Sequence, residues 1–457
     1  MTADGAVRST AFDRRLIAPM MLGTVLNPVN SSMLAVALVP IGQAFGAPPA
    51  QTAWLVSALY LATAVGQPVI GRLVDTFGPR PLYLIGTALV GVAGLLGVFA
   101  PDLGVLVVSR VLLGFGTSAA YPASMSLLRS EADRTGMRNP SGILAALSVS
   151  NQVIAVIGPT LGGLLIGLGG WELIFGINVP LSLACLVLGA LALPRGAPRG
   201  EVRETVDLPG MTLFAVMLTG FMVFLMRPGQ WYLAPGAVAA GAVFVRRELR
   251  TQLPFIDLRV LSGNLPLLAT YARQLLGYTT AYAFLYGYTQ WLEEGRSLNA
   301  SAAGLVLIPL SLAALVITAL TGRRAQVWGK LAAGAVAQLA ACVVLLVLGG
   351  QSAVWLLALA GAIAGIAQGL VGLANQNALY AQADPARMGS SAGLLRTFSY
   401  VGALLASAAN AAFYPHGATT GGLHGMAFLL LGVSALFLVV TLADRSLRRA
   451  GGAKTRD

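Results

Sequence analysis

The polar segment Gly71–Arg80 reads GRLVDTFGPR and lies between two apolar runs, 52–71 and 82–100. A related segment, Gly322–Lys330 (GRRAQVWGK), separates two apolar runs in the second half of the chain. Each segment carries two glycines seven residues apart, with a cation within two residues of the second. Glycines let helices turn and pack closely, and an acid such as Asp75 held among cations latches neighbouring helices. The repeat therefore indicates an internal duplication.

The composition excludes an ordinary soluble domain. Of 457 residues, 56% are hydrophobic and only 10% are charged, and the mean hydropathy is +0.78. A soluble domain carries about a quarter charged residues. Cys185 and Cys342 both lie inside apolar runs, so we expect neither a disulfide framework nor a metal site. The chain is predicted to be an all-α polytopic membrane protein.

Apolar runs long enough to cross a bilayer predict fourteen spans, grouped as six, two and six. Residues 1–15 are a polar tail, and the run after them is too long for a signal peptide, so we expect it to stay as span 1. We predict a bundle over 16–194, a linker with two extra spans over 195–260, a second bundle over 261–444 and a basic tail over 445–457. The predicted spans are 16–42, 52–71, 82–100, 103–128, 142–168, 171–194, 208–226, 231–245, 264–292, 303–321, 331–349, 353–380, 388–414 and 425–443.

The basic residues support this topology. With both termini cytoplasmic, only Arg227 and Arg296 of the 29 lysines and arginines fall in outward loops, and Arg110, Arg273 and Arg396 fall within spans. The others face the cytoplasm, as the positive-inside rule requires. The net charge of +12 therefore reflects topology, and we expect no nucleic-acid partner.

Three short motifs occur in order along the first bundle. The segment Gly71–Gly78 fits G-x-L-x-D-x-x-G, Arg110–Gly114 fits R-x-x-x-G in span 4, and Gly158–Gly163 fits G-P-x-x-G-G in span 5. Together with the six–two–six grouping, these motifs make the chain resemble the major facilitator superfamily, specifically its fourteen-helix drug:proton antiporter branch. The resemblance covers about 16–444. It departs from the family pattern at Thr76 and Pro79 but keeps Arg80.

The resemblance implies a major facilitator fold of two six-helix bundles plus two extra helices, and a transporter rather than an enzyme. It suggests a role in proton handling or gating for Arg110, Asp75 and Arg80. Glycines on a membrane helix allow close packing, and a central proline permits a bend, although an ordinary packing face would look the same. We expect conformational roles for the motif residues Gly71, Gly78, Gly114, Gly158, Pro159, Gly162 and Gly163.

Charged residues inside spans are costly in hydrocarbon and usually face a cavity. Cavity lining is favoured for Arg110, whereas Arg273 and Arg396 either line the cavity or snorkel to the interface. No Asp or Glu lies near the middle of any predicted span. A dry cation site without a carboxylate would be poorly stabilised, so we expect neutral or anionic amphiphilic substrates. The site of proton coupling stays open between Asp75 and Arg110.

Polar and aromatic residues in the spans are candidates for the substrate cavity, because a mostly apolar pocket with a few amides and rings suits promiscuous recognition. Hydrogen bonding between helices is the competing use for the amides, and packing is the competing use for the tyrosines. The predicted cavity residues are Asn27, Asn30, Ser31, Gln67, Asn151, Gln152, Tyr278, Tyr282, Tyr286, Asn375 and Gln376, with Arg273 and Arg396.

The sequence thus predicts a secondary transporter that exports small amphipathic compounds by alternating access, coupled to proton entry. The alternatives are a dedicated exporter of an endogenous metabolite or lipid and, more distantly, a channel or receptor. We expect no cofactor other than the proton motive force, and as partners the lipid bilayer, protons and a small-molecule substrate. The protein is expected to be a monomer in the plasma membrane, which in bacteria is the inner membrane.

Overall fold

The computed structural model describes residues 12–447 except 35, 48, 138–139, 196–205, 228, 299, 325 and 416. Within these residues every named element is helical, as the sequence predicts. Parts of the predicted tails (1–11 and 448–457) and of the linker (196–205) lie outside the described residues. The predicted boundaries of these segments therefore stay predictions.

The first half of the chain supplies six long helices. Helix α4 is interrupted at Ser118–Ala119. Helix α6 is preceded by a separate short helix, Glu172–Gly176. A further short helix, Leu38–Phe45, follows α1, so the predicted span 16–42 is not one continuous helix. The six are α1 (Ile17–Leu34), α2 (Pro49–Phe77), α3 (Pro79–Val98), α4 (Leu103–Thr117 with Ala120–Thr135), α5 (Ser141–Gly169) and α6 (Asn178–Ala192).

The two extra helices and the second half follow. A short helix, Leu258–Gly263, links them, and a π-helical turn, Trp291–Gly295, ends α9. The long helices are α7 (Leu208–Met226), α8 (Leu233–Glu248), α9 (Leu265–Gln290), α10 (Ala300–Thr321), α11 (Val327–Val347), α12 (Val354–Gln382), α13 (Met388–Phe413) and α14 (Thr420–Ala443).

Each half packs as a bundle, and the two bundles meet along two seams. In the first half α1 packs on α5 and α3 packs on α4 and α6, while in the second α12 packs on α10 and α11. Between the halves, α2 packs along α13 and α5 packs against α10. The extra helices α7 and α8 pack on each other, and α7 also contacts α2 and α13. The α2–α13 seam is therefore covered from outside by the extra pair.

The surface of the bundles is apolar. Large side chains such as Leu191, Phe99 and Leu320 are 81%, 77% and 70% exposed. Ten of the described helices have the length and composition to cross a membrane, and α5 adds an eleventh as a bent pair. Helices α1, α8 and α9 do not meet those criteria, so the count of fourteen spans stays a prediction.

Helix α5 bends by 45° between Ser141–Ala155 and Ile157–Gly169. Pro159 lies one turn beyond the bend and has no N–H to donate to the carbonyl of Ala155, which weakens the helix at that turn. Both cysteines are free and fully buried, Cys185 in α6 and Cys342 in α11.

Candidate functional site

The carboxylate of Asp75, in the last turn of α2, joins the two halves. One oxygen accepts from the backbone N–H of Gly389 at 2.8 Å. The other accepts from the N–H of Ser390 at 2.8 Å and from the Ser390 hydroxyl. Both N–H groups belong to the first turn of α13, where backbone donors have no partner inside the helix and a negative charge is favoured. Asp75 is thus a charged latch between the bundles, at the end of the molecule predicted to be cytoplasmic.

The glycines of the same segment have different duties. A Cβ on Gly71 would collide with the carbonyl oxygen of Gly389, so this glycine allows α2 and α13 to touch. Gly78 begins α3 with φ of 90°, a conformation that L side chains rarely adopt. Arg80 donates to the carbonyl of Ala190 at 2.9 Å and so ties α3 to α6 instead of joining the halves.

Further hydrogen bonds join α5 to the second half. Gln152 Nε2 donates to Thr318 Oγ1 at 2.9 Å, and Ser148 Oγ donates to Gln376 Oε1 at 3.2 Å. Ser141 also bonds to Asn377, at 3.1 Å. Gln152 and Gln376, both predicted cavity residues, therefore form hydrogen bonds between α5 and the second half. Like the Asp75 latch, these bonds lie toward the end of the bundles that carries Asp75.

Arg110 is only 1% exposed, and it braces three helices of the first half. Its Nε donates to the carbonyl of Leu55 in α2 at 3.0 Å, and its Nη2 donates to the carbonyl of Asn30 in α1 at 3.2 Å. One turn on, a Cβ on Gly114 would lie 2.8 Å from the carbonyl oxygen of Leu59, so the glycine permits close packing of α4 on α2. Arg110 thus has backbone carbonyls as partners.

The glycines of α5 are not equivalent. A Cβ on Gly158 would collide with Ser32 of α1, and one on Gly162 would lie 2.9 Å from the carbonyl oxygen of Met33. Both therefore allow the close packing of α5 on α1. Gly163 has no heavy atom within 4 Å of its Cβ position, so no contact among the described residues explains it.

Several predicted cavity residues lie inside the bundles. Arg273 is fully buried, pairs with Asp444 at 3.0 Å and donates to Thr270 at 2.6 Å, so the structure places it in an ion pair near the ends of α9 and α14 and not at the centre. Asn30 exchanges hydrogen bonds with Asn178 of α6, at 2.6 and 2.9 Å.

Four more predicted amides and hydroxyls either bond within their own half or have a side-chain oxygen without a hydrogen bond. Asn375 donates to Gln274 at 3.0 Å, and Ser31 donates to the carbonyl of Asn27 at 3.0 Å. Gln67 is buried with no hydrogen bond to its side-chain oxygen, and the side-chain oxygen of Asn151, on α5, is likewise without one.

Arg396 of α13 lies between the halves, among tyrosines. Its guanidinium carbon is 4.1 Å from the ring centre of Tyr121 in α4. Tyr278, Tyr282 and Tyr400 also lie within electrostatic range of it. The position fits the cavity alternative of the sequence prediction, not snorkelling to an interface.

Two sets of neighbouring, mutually tilted rings extend this centre. Along α9, the ring centres of Tyr278 and Tyr282 are 5.8 Å apart and those of Tyr282 and Tyr286 are 5.4 Å apart. Across the seam, Tyr60 and Tyr400 are 5.7 Å apart. The Tyr400 hydroxyl donates to Asn27 Oδ1 at 3.1 Å. We call Arg396 and these rings (Tyr60, Tyr121, Tyr278, Tyr282, Tyr286 and Tyr400) the tyrosine centre.

A small pocket of about 40 Å³ adjoins the tyrosine centre inside the second half. Tyr278 and Tyr282 form one wall, and Gln338 of α11 and Gln368 of α12 supply polar groups opposite them. Leu285 and other apolar side chains complete the lining. The lining suits a small, mostly apolar group with a few polar contacts.

A family model for the Major Facilitator Superfamily matches residues 20–407. The chain belongs to that superfamily. An uncharacterised transporter of this superfamily from Bacillus subtilis, YwoD, is 31% identical over 398 residues, covering 84% of this chain and 86% of the relative. The lincomycin resistance protein of Streptomyces lincolnensis is 31% identical over 325 residues, covering 69% and 65%.

The solved structure of the human organic anion transporter MFSD10 (TETRAN) has the same fold, with a TM-score of 0.69 at 15% identity, over 94% of this chain and 99% of that one. The predicted family and fold class are thereby confirmed. This Major Facilitator protein is a multi-pass membrane protein of a family of transporters, with multidrug and antibiotic-resistance proteins among its relatives.

The sequence prediction missed three of the seven residues of the tyrosine centre. The tyrosines of α9 are visible as a four-residue repeat, but Tyr60, Tyr121 and Tyr400 are isolated in sequence and come from three other helices. Each of these three tyrosines is a ring with a polar hydroxyl inside an apolar run. An arginine inside a span usually faces a cavity, so tyrosines at a similar depth are candidates for lining the same cavity.

Proposed function

We propose that this Major Facilitator protein is a secondary active exporter of small amphipathic compounds that works by alternating access. The observation that carries the proposal is the latch between Asp75 and the first turn of α13, because it places a carboxylate at the contact between the two bundles, at one end of their shared seam. A few hydrogen bonds of this kind are made and broken at low cost when bundles rock about a central site. The resistance proteins among the relatives support outward transport, since resistance by a transporter requires removal of the drug.

We further propose that proton entry drives the export, with Asp75 as the coupling group. No acidic residue lies in the middle of the described spans, whereas Asp75 is a carboxylate placed at the contact between the bundles. Protonation would remove the charge that accepts three hydrogen bonds from α13, and a neutral acceptor forms weaker ones. Proton binding would then favour separation of the bundles at this end, and proton release would favour closure.

Transport of a panel of amphipathic dyes in proteoliposomes, with and without a pH gradient, tests both proposals. We expect gradient-driven accumulation by the wild type and a loss of at least about tenfold in Asp75→Asn, which keeps the shape but cannot titrate. Asp102→Asn is the matched control, because Asp102 only caps its own helix at Val105 and asparagine caps equally well. Wild-type protein that moves no dye would refute export; an Asp75→Asn variant with a normal response to the gradient would refute coupling through Asp75.

A further inference from the structure

The three arginines within the spans differ in what balances their charge. Arg273 has a carboxylate partner, Asp444, and Arg110 has two backbone carbonyls. Arg396 faces the ring of Tyr121 and is surrounded by further tyrosines. Among the ion pairs of the described residues, none involves Arg110 or Arg396. Of these two, Arg110 is sealed among helices of the first half, whereas Arg396 lies between the halves.

Arg396 is half-buried, and a guanidinium that is partly withdrawn from bulk water gains from a counter-charge, because loss of hydration is costly for an isolated ion. The face of a tyrosine offers partial compensation through a cation–π contact. Neutral tyrosine hydroxyls can also accept a hydrogen bond each. The tyrosine centre therefore carries one positive charge more than its surroundings balance.

We propose that the tyrosine centre binds aromatic organic monoanions, with a carboxylate or sulfonate on Arg396 and the ring of the ligand against Tyr278 and Tyr282. This assignment rests on the proposed export function and narrows its substrate class. Arg396 presents a planar fork of donors that matches a carboxylate. Its place on α13 is six residues beyond Ser390, or ~9 Å along the helix from the Asp75 latch, so the ligand lies above the closed end.

The row of tyrosine rings on α9 indicates that the apolar part of the ligand is a flat aromatic group. Tyr278, Tyr282 and Tyr286 present rings in steps of 5.4–5.8 Å, a surface on which a flat aromatic ligand stacks. The adjoining cavity beyond Tyr278 and Tyr282 offers space for a substituent. A cationic ligand would meet Arg396 without a carboxylate to offset the repulsion, so the tyrosine centre disfavours it.

Binding of three matched probes to the full chain in lipid nanodiscs tests the assignment: naphthoate, naphthamide and naphthylmethylammonium, with empty nanodiscs as background. In the wild type we expect naphthoate to bind at least about tenfold more tightly than naphthamide, as loss of one charged hydrogen-bond pair predicts, and the ammonium to bind most weakly. Amide or ammonium binding as tight as that of naphthoate would overturn the assignment without any variant.

Arg396→Gln should abolish the preference for naphthoate while naphthamide affinity stays within about threefold, and Arg396→Lys should retain part of the preference. Arg323→Gln is the control, because it removes the same charge from an exposed position. Unchanged naphthamide binding shows that the Arg396 variant is folded; if it is not folded, the comparison of probes in the wild type decides. A preference for naphthoate that survives in Arg396→Gln refutes the site.

The dye-transport assay separates this assignment from the export proposal. Naphthoate binding at Arg396 without outward transport of any compound refutes export and leaves the anion site standing. Transport of neutral dyes without a preference for anions, in binding or in transport, refutes the anion site and leaves the exporter.

Discussion

The segment Gly71–Arg80 and its counterpart Gly322–Lys330 share the spacing of their glycines but differ in the residue between them that could form a latch. At the fifth position the first has Asp75, whose carboxylate crosses to α13, and the second has Gln326, which is exposed and caps nothing. The cation of the second segment, Lys330, donates to the carbonyls of Thr321 and Arg324, both at 2.6 Å, and so ties its own turn together.

The steric part of the two segments is nevertheless the same. A Cβ on Gly71 would collide with Gly389 across the α2–α13 seam, and one on Gly322 would collide with Ala145 across the α10–α5 seam. Each segment thus places a glycine at a seam between the halves, while only the first segment supplies a charged latch. One seam is held by a charge that can be switched, and the other by shape and by neutral hydrogen bonds.

Asp75→Ala should have the largest effect, because three hydrogen bonds to a charged group are lost and the first turn of α13 loses its acceptors. We expect the closed arrangement at this end to lose at least about 2 kcal/mol, more than tenfold in population. Spin labels at cysteines replacing the exposed Phe77 and Ala386 would report the distance distribution. Gln326→Ala is the matched control and should leave it unchanged; equal distributions in Asp75→Ala and the wild type would contradict the latch.

Gly322→Ala should come next, since the added methyl group would overlap Ala145 and would lie 2.9 Å from the carbonyl of Thr318. Overpacking of this kind costs about 1–3 kcal/mol. Reduced dye transport and a lower thermal midpoint would show it. Gly329→Ala, seven residues on, has open space around the new Cβ and should match the wild type. A Gly322→Ala variant with wild-type transport and stability would show that the α5–α10 seam can accommodate the added methyl group.

Lys330→Met should lower stability by about 1 kcal/mol, because two hydrogen bonds within the turn are lost while the apolar stem is kept. The turn lies within one half, so we expect the closed population to stay as in the wild type. Thermal unfolding, read beside the label distances, separates the two effects. A shift in the distances without loss of stability would show that Lys330 acts between the halves after all.

Gln326→Asp, which restores the acid in the second copy, should have the smallest effect. Gln326 is exposed and is the N-cap residue of α11, so an aspartate there would cap its own helix for roughly 0.5–1 kcal/mol without reaching the other half. Label distances and dye transport should both stay within error of the wild type. A clear gain in the closed population would show that the two segments are more alike in position than the structure indicates.

The sequence predicted single helices better than the contacts among them. The predicted spans 208–226 and 388–414 agree with Leu208–Met226 and Met388–Phe413 almost to the residue, because hydropathy reflects the environment of one helix at a time. The partner of Arg273 could not be predicted in this way, since Asp444 lies 171 residues away and pairing depends on how α9 and α14 are rotated. The break in α4 at Ser118–Ala119 lies four residues before Pro122, which has no N–H for the Ser118 carbonyl, but a hydropathy profile alone does not register this signal.

The candidate site shows the same division. Arg110 and Arg396 stand out in the sequence as charges in apolar runs, yet their environments are opposite. Arg110 is held by carbonyls of α1 and α2, and Arg396 by the ring of Tyr121. Backbone carbonyls are the same at every position, so no residue pattern marks which of them an arginine will reach.

The burial of both thiols has a practical outcome for spectroscopy. Cys185 and Cys342 are each 0% exposed, inside separate bundles, and neither takes part in a disulfide. Maleimide and methanethiosulfonate reagents will therefore react with introduced surface cysteines while the native protein stays silent. Motions of the two bundles can be followed by paramagnetic or fluorescent reporters in the natural sequence, without first building a cysteine-free background.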